Sequence, residues 1–171
     1  MADDIVTRRG FSNETRIGKT DVWLTPKSII DLLGPFDLDP CAATNPPWAT
    51  ATHMITETDD GLTAKWDGIA WVNPPYSNAW AWLDRLANHG NGIALVLART
   101  ETAGFHRSVW QRADGIAFPK RRIRFCYPSG EQSASTNGAP SCFVAYGDEA
   151  VQRLYRLQET AVIELKEARR G

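Results

Sequence analysis

Apolar and polar positions along the chain change their period several times, and each change marks an element. Residues 36–39, Phe36-Asp37-Leu38-Asp39, alternate apolar and polar and predict a first core strand ending at Asp39. Residues 69–72, 93–98, 115–119 and 142–146 are apolar almost without interruption, the pattern of strands buried on both faces. Helical spacing fills the intervals: Ile29, Ile30, Leu32 and Leu33; then Trp80, Trp82, Leu83 and Leu86; then Phe105, Val109 and Trp110, of which these last three are expected to be buried. Val151, Leu154, Tyr155, Val162 and Leu165 fall on one face of a terminal helix predicted over residues 149–168. Thr25 and Pro26 suit the N-cap and first turn of the first helix, and Gly34-Pro35 closes it. Ser77 or Asn78 caps the second, and Gly90 ends it. Alternating strands and helices argue for an α/β fold, a mostly parallel sheet with helices on both faces. Only a loop separates the strands at 115–119 and 142–146, so that pair should be antiparallel.

With 171 residues the chain suits a single domain, 21–171, preceded by a polar arm over 1–20 that has no sustained periodicity. Hydrophobic content of 43% and charged content of 23% are those of a globular protein. No apolar run approaches the ~20 residues of a membrane span and the first residues lack a signal peptide's core, so a cytoplasmic location is expected. Cys41, Cys126 and Cys142 are odd in number and spaced for neither a disulfide framework nor zinc, which points to reduced thiols and no metal.

A formal net charge of −1 argues against coating nucleic acid by bulk electrostatics but leaves room for a local basic face. Two clusters qualify: Lys120, Arg121, Arg122 and Arg124, and the early Arg8, Arg9, Arg16 and Lys19. The polar stretch 126–141 has no core-forming pattern. It is the one sizeable insertion and the candidate segment for reading DNA, with Arg121, Arg122 and Arg124 at its root.

The densest chemistry lies where the run 69–72 stops at Asn73-Pro74-Pro75-Tyr76-Ser77. Two prolines fix the turn, so Asn73 should sit at a strand's carboxyl end, where open α/β sheets bind ligands. The Asn73 side-chain carbonyl and the Pro74 main-chain carbonyl are two acceptors suited to the two hydrogens of an exocyclic amine. Holding both draws the nitrogen lone pair out of ring conjugation and stabilises the positive charge that grows as it attacks an electrophile. Tyr76 offers a stacking face, worth roughly 1–3 kcal/mol per base. The composition therefore fits a pocket for a flipped base. Asn45-Pro46-Pro47-Trp48 repeats the pattern, but Ala-Ala-Thr precedes it instead of an apolar strand, so it reads as a loop turn. Around His53 the sequence predicts no element.

Asn-Pro-Pro-Tyr after a hydrophobic strand resembles the catalytic motif of S-adenosylmethionine-dependent amino-methyltransferases. Joined by Asp-Val-Trp-Leu-Thr-Pro from residue 21 and Phe-Asp-Leu-Asp-Pro-Cys from residue 36, it resembles the small, phage-type DNA N6-adenine methyltransferases over roughly residues 21–147. The resemblance implies a Rossmann-like methyltransferase fold whose last strand is antiparallel, S-adenosylmethionine as cofactor and DNA as partner. It implies catalytic roles for Asn73, Pro74, Pro75 and Tyr76, and cofactor contacts from Trp23, Thr25, Pro26, Asp39, Pro40, Cys41, Asp60 and Asn73. Asp39 would accept from the cofactor's amino or ribose groups, and Cys41 would pack, since transfer to an exocyclic nitrogen needs no covalent intermediate. Ser77, Lys120, Arg121, Arg122 and Arg124 are the candidate DNA contacts. The residues leave N4-cytosine methylation, an RNA or protein methyltransferase, and a non-catalytic DNA-binding module open beside adenine methylation.

Overall fold

Successive residues of the apolar runs part company on folding, and this builds two cores from one sheet. The computed structural model describes residues 22–136 and 138–168. Its elements are α1 (Lys27–Leu33), β1 (Leu38–Asp39), β2 (His53–Met54), β3 (Ala70–Val72), α2 (Ala79–His89) and β4 (Gly92–Leu97). They continue with α3 (Ala103–Phe105), a π turn (His106–Trp110), β5 (Gly115–Pro119), β6 (Ser141–Tyr146), α4 (Asp148–Leu154), β7 (Thr160–Glu164) and α5 (Leu165–Ala168). Ala70, Val72, Ala94, Val96, Ile116 and Val144 point to one face, where Trp82, Leu83 and Leu86 of α2 and Phe105 and Val109 cover them. Trp71, Ile93, Leu95, Ala117, Phe143 and Ala145 point to the other, covered by Ile30 and Leu33 of α1 and Ala150, Val151 and Leu154 of α4. Helices on both faces follow directly from the two-residue period within runs that are apolar throughout.

The sheet has seven strands in the order β2-β1-β3-β4-β6-β5-β7 among the described residues. β1 pairs parallel with β2 and β3, and β3 with β4. β6 runs antiparallel to both β4 and β5, and β7 antiparallel to β5. The chain thus has the architecture of a Rossmann-like methyltransferase, mostly parallel with antiparallel final strands. Parallel β1, β3 and β4 end at one edge of the sheet, and β5, flanked by antiparallel β6, ends there too.

Several sequence expectations need correction. The helix expected over 149–168 stops at Leu154, and Thr160–Glu164 is an edge strand. The chain turns after Leu154, Glu159 with φ of 49° leads it into the strand, and the β-branched alternation that follows pairs with β5. Val162 packs on the α1 face while Leu165 is buried on the α2 face, so the two never share a helical stripe. His53–Met54, where no element was expected, pairs in register with Leu38 and Asp39. Thr25 does not cap α1: Pro26 takes the N-cap position, and no side chain caps the helix. Neither Ser77 nor Asn78 caps α2 through its side chain; residues Tyr76–Asn78 form a 3₁₀ turn that feeds into it. Trp110 is half-buried, not buried, and gives its indole N–H to the Thr100 carbonyl at 3.0 Å. The arm over 1–20 and its cluster Arg8, Arg9, Arg16 and Lys19 lie outside the described residues.

Candidate active site

Asn73 is the first residue past β3, and the two prolines that follow it turn the chain out of the sheet as expected. Its side-chain amide donates to the Trp23 main-chain carbonyl at 3.0 Å. A carbonyl can only accept, so the amide has one orientation, with Nδ2 toward Trp23 and Oδ1 left for a ligand. The Trp23 segment is itself held in place: Leu24 and Cys126 exchange main-chain hydrogen bonds of 2.9 and 2.8 Å, and the Trp23 and Tyr127 rings lie 5.3 Å apart. Pro74 is buried, whereas Pro75, Ser77 and Tyr76, 45% exposed, reach solvent.

A cavity of about 580 Å³ opens beside this turn, within the range of small-molecule and cofactor sites. Trp23, Thr25, Asp39, Pro40, Cys41, Asp60, Asn73, Pro74, Pro75 and Tyr76 all line it, so segments more than fifty positions apart in sequence converge on one space. Of the candidate cofactor contacts, Pro26 alone is not in the lining; it heads α1 behind Thr25.

Asp39 ends β1, 3% exposed. It accepts the Cys41 main-chain N–H at 3.1 Å and the Thr50 hydroxyl. Burial pushes its carboxyl up to about 6, against the pull of those two hydrogen bonds. Burial, with the Asp39 charge beside it, also raises the Cys41 thiol well above its ordinary value. Cys41 is therefore a poor nucleophile and serves as packing beneath the turn. Asp60, at φ of 39°, accepts from the Leu62 N–H and the Thr63 hydroxyl at 3.3 and 3.1 Å. Thr25 Oγ1 and Trp48 Nε1, on two of the lining residues, are buried without a hydrogen-bond partner among the described residues. Such groups cost roughly 1–3 kcal/mol each unless a ligand satisfies them. A fixed amide carbonyl, a stacking ring, a buried carboxyl and orphaned polar atoms around one cavity are the parts of a group-transfer site for a polar, planar substrate.

The family model described as DNA N-6-adenine-methyltransferase (Dam) matches residues 12–166. The chain belongs to that family. It is an adenine-specific DNA methyltransferase, which decides among the readings that the residues left open. A DNA N-6-adenine-methyltransferase of Haemophilus phage HP1 (strain HP1c1) is 25% identical over 166 residues, spanning 91% of this chain and 95% of that protein. No solved structure matches the chain.

The candidate DNA contacts of this Dam-family enzyme emerge on the same sheet edge as Asn73, because β5 ends there. Lys120 and Arg121 are exposed and pair with Glu159 at 3.7 and 3.3 Å; Arg122 and Arg124 are exposed beside them. From there the stretch 126–141 begins as a small hairpin, Cys126 pairing with Gln132, and its Pro128 lines the cavity. Sequence reasoning missed Thr50, which secures Asp39, Glu57 just after β2, and Trp48. The signal for Trp48 was the second Asn-Pro-Pro-aromatic turn: it is a loop as expected, yet Trp48 lines the cavity.

Proposed function

We propose that the cavity beside Asn73 holds S-adenosylmethionine together with an adenine flipped out of DNA, and that residues 21–171 work as one catalytic domain. The observation that carries this reading is the 3.0 Å bond from Asn73 Nδ2 to the Trp23 carbonyl, which commits Oδ1 to acceptor duty on the cavity wall. Oδ1 and the Pro74 carbonyl take the two hydrogens of the adenine amine. This localises the nitrogen lone pair, and the same oriented dipoles stabilise the positive charge that develops on that nitrogen. Tyr76, half-exposed at the mouth, stacks on the base, and Pro75 keeps the turn rigid.

The donor is held by Trp23, Thr25, Asp39, Pro40, Cys41 and Asp60, and its fit is supported by the orphaned Thr25 hydroxyl and the buried Asp39 carboxyl in the lining. Pro26 acts behind them, fixing the segment that carries Thr25. Bound there, S-adenosylmethionine supplies an electrophilic methyl group on a positively charged sulfur. Ser77 and the exposed Lys120, Arg121, Arg122 and Arg124 meet phosphates, and the stretch 126–141 reads the sequence around the target. A DNA substrate of this kind assigns the work to the host cytoplasm.

Methyl transfer to DNA by wild type, Asn73→Ala and Tyr76→Ala tests the reading. Asn73→Ala should lower kcat about 10²–10³-fold, the usual effect of removing one oriented catalytic dipole. Tyr76→Ala should raise the KM for DNA. Unchanged adenine methylation in both variants would exclude this pocket.

A further inference from the structure

The edge of the sheet away from the cavity ends in β7, which pairs with β5 on one side; no strand among the described residues lies on its other side. The ladder with β5 fixes which main-chain groups face outward. Lys120 donates its N–H to the Glu159 carbonyl at 3.0 Å, and Leu165 donates its own to the Asp114 carbonyl at 2.8 Å. The bonded pairs therefore alternate through Glu159, Ala161, Ile163 and Leu165. Thr160, Val162 and Glu164 turn their N–H and C=O groups away from β5. Natural edge strands blunt such a row with lysine, proline or a bulge. Residues 160–164, Thr-Ala-Val-Ile-Glu, contain neither residue, and their register with β5 runs without a break. Their one charge, Glu164, accepts the Tyr155 hydroxyl at 2.6 Å. Ile163 stands 45% exposed, and Ala161, on the same face of the strand, is exposed too.

The spacing of the outward groups says which strand fits. They are placed evenly about Val162, so an antiparallel copy of the same strand meets all of them. Thr160 then faces Glu164 of the second copy, Val162 faces Val162, and each of these pairs exchanges both main-chain bonds. Ala161 faces Ile163 of the second copy, a small side chain against a large one, and no like charges meet. A shift of two residues would leave one outward position without a partner strand. We infer that the protein forms a two-fold dimer in which β7 pairs antiparallel with β7 of a second copy, so that one sheet runs through both. The interface is isologous, with Val162 on the axis. That axis stands perpendicular to the sheet, so the carboxyl ends of β1 and β3 point in opposite directions in the two copies. Each cavity keeps its own access to DNA, and neither copy contributes a residue to the other's site.

Sedimentation equilibrium of the full-length chain over a range of concentrations tests it, with wild type expected to approach twice the chain mass. Ala161→Glu combined with Ile163→Glu sets acidic side chains opposite one another at two places across the axis. It should weaken the dimer about tenfold or more. Ala161→Glu combined with Ile163→Lys sets opposite charges at the same two places and should restore it. Both side chains are exposed, and an unchanged circular dichroism spectrum verifies that each variant folds. A wild type that sediments as a single chain throughout overturns the inference, as does a doubly acidic variant that dimerises like wild type. Equal weakening by the two variants overturns the pairing centred on Val162.

Discussion

At the scale of single residues, the site keeps a carboxyl where water cannot reach it. Asp39 has an ordinary value of 3.8 and is pushed by burial up to about 6. Below 3.8 both folded and unfolded chains hold the proton. Between the two values the folded state still holds it and the unfolded state has released it, so stability falls as pH rises through that window. Above about 6 the penalty is complete, on the order of 3 kcal/mol for this fully buried group. Asp39→Asn keeps an acceptor for the Cys41 N–H and turns the Thr50 bond round, its amide N–H₂ donating to the Thr50 oxygen, but carries no charge to desolvate. Its melting temperature should exceed wild type's by several degrees at pH 8 and by about half as much at pH 5, which lies inside the window, at about 2–4 °C per kcal/mol for a chain of this size. Calorimetric scans at both pH values decide it, and an equal gain at each would mean that charge is not the cause. Binding of S-adenosylhomocysteine should weaken in the same variant, since the ionised carboxyl is the form that recognises a ligand's amine or hydroxyl hydrogens.

At the scale of elements, the hairpin over 126–132 is the wall that the rest of the site leans on. It exchanges two main-chain bonds with Leu24, sets the Tyr127 ring tilted against Trp23 and places Gly130 against Pro47 and Trp48. Gly130 has φ of 88°, and a Cβ there would come within 3.0 Å of Pro47 Cγ and 3.2 Å of Trp48 Cζ3. Gly130→Ala should therefore cost roughly 1–2 kcal/mol in backbone strain, read as a fall of a few degrees in melting temperature. Because the displaced neighbours are Pro47 and the cavity-lining Trp48, affinity for S-adenosylhomocysteine should fall severalfold as well. A variant that melts lower but binds as wild type would detach the hairpin from the site. Elements of this kind mark the boundary of what was legible in the sequence. The run 69–72 followed by two prolines located Asn73 correctly, because strand period and proline geometry are both local. β2 was invisible because two residues carry no period; it exists because Leu38 and Asp39 offer it a partner. β7 was read as helix because Val151, Leu154, Val162 and Leu165 also fit a helical spacing, and only the unpaired edge of β5 decides for a strand. Trp48 and Thr50 reach the cavity by tertiary approach, which no local pattern encodes.

At the scale of the whole molecule, the sheet separates the chemistry from much of the stability. The cavity occupies the carboxyl ends of β1 and β3, near one edge, while β7 closes the other edge four positions from β3 in the strand order. Just past β7, Leu165 is 7% exposed and joins the α2-face core, and its main-chain N–H bonds to the Asp114 carbonyl at 2.8 Å. Leu165→Ala leaves the main-chain bond intact and removes the buried side chain, a truncation that costs about 2–5 kcal/mol in well-packed cores. Denaturant titration should show a lower midpoint with an unchanged slope, because the surface exposed on unfolding is nearly the same. Methyl transfer measured well below the melting temperature should keep wild-type kcat and KM, since Leu165 is not among the residues that line the cavity. The converse holds for Asn73→Ala, which removes a half-buried side chain with one tie to Trp23 and should lose activity far out of proportion to stability. If Leu165→Ala instead loses activity in step with stability, the two edges are coupled through β4 and β6, and the division of labour across the sheet fails.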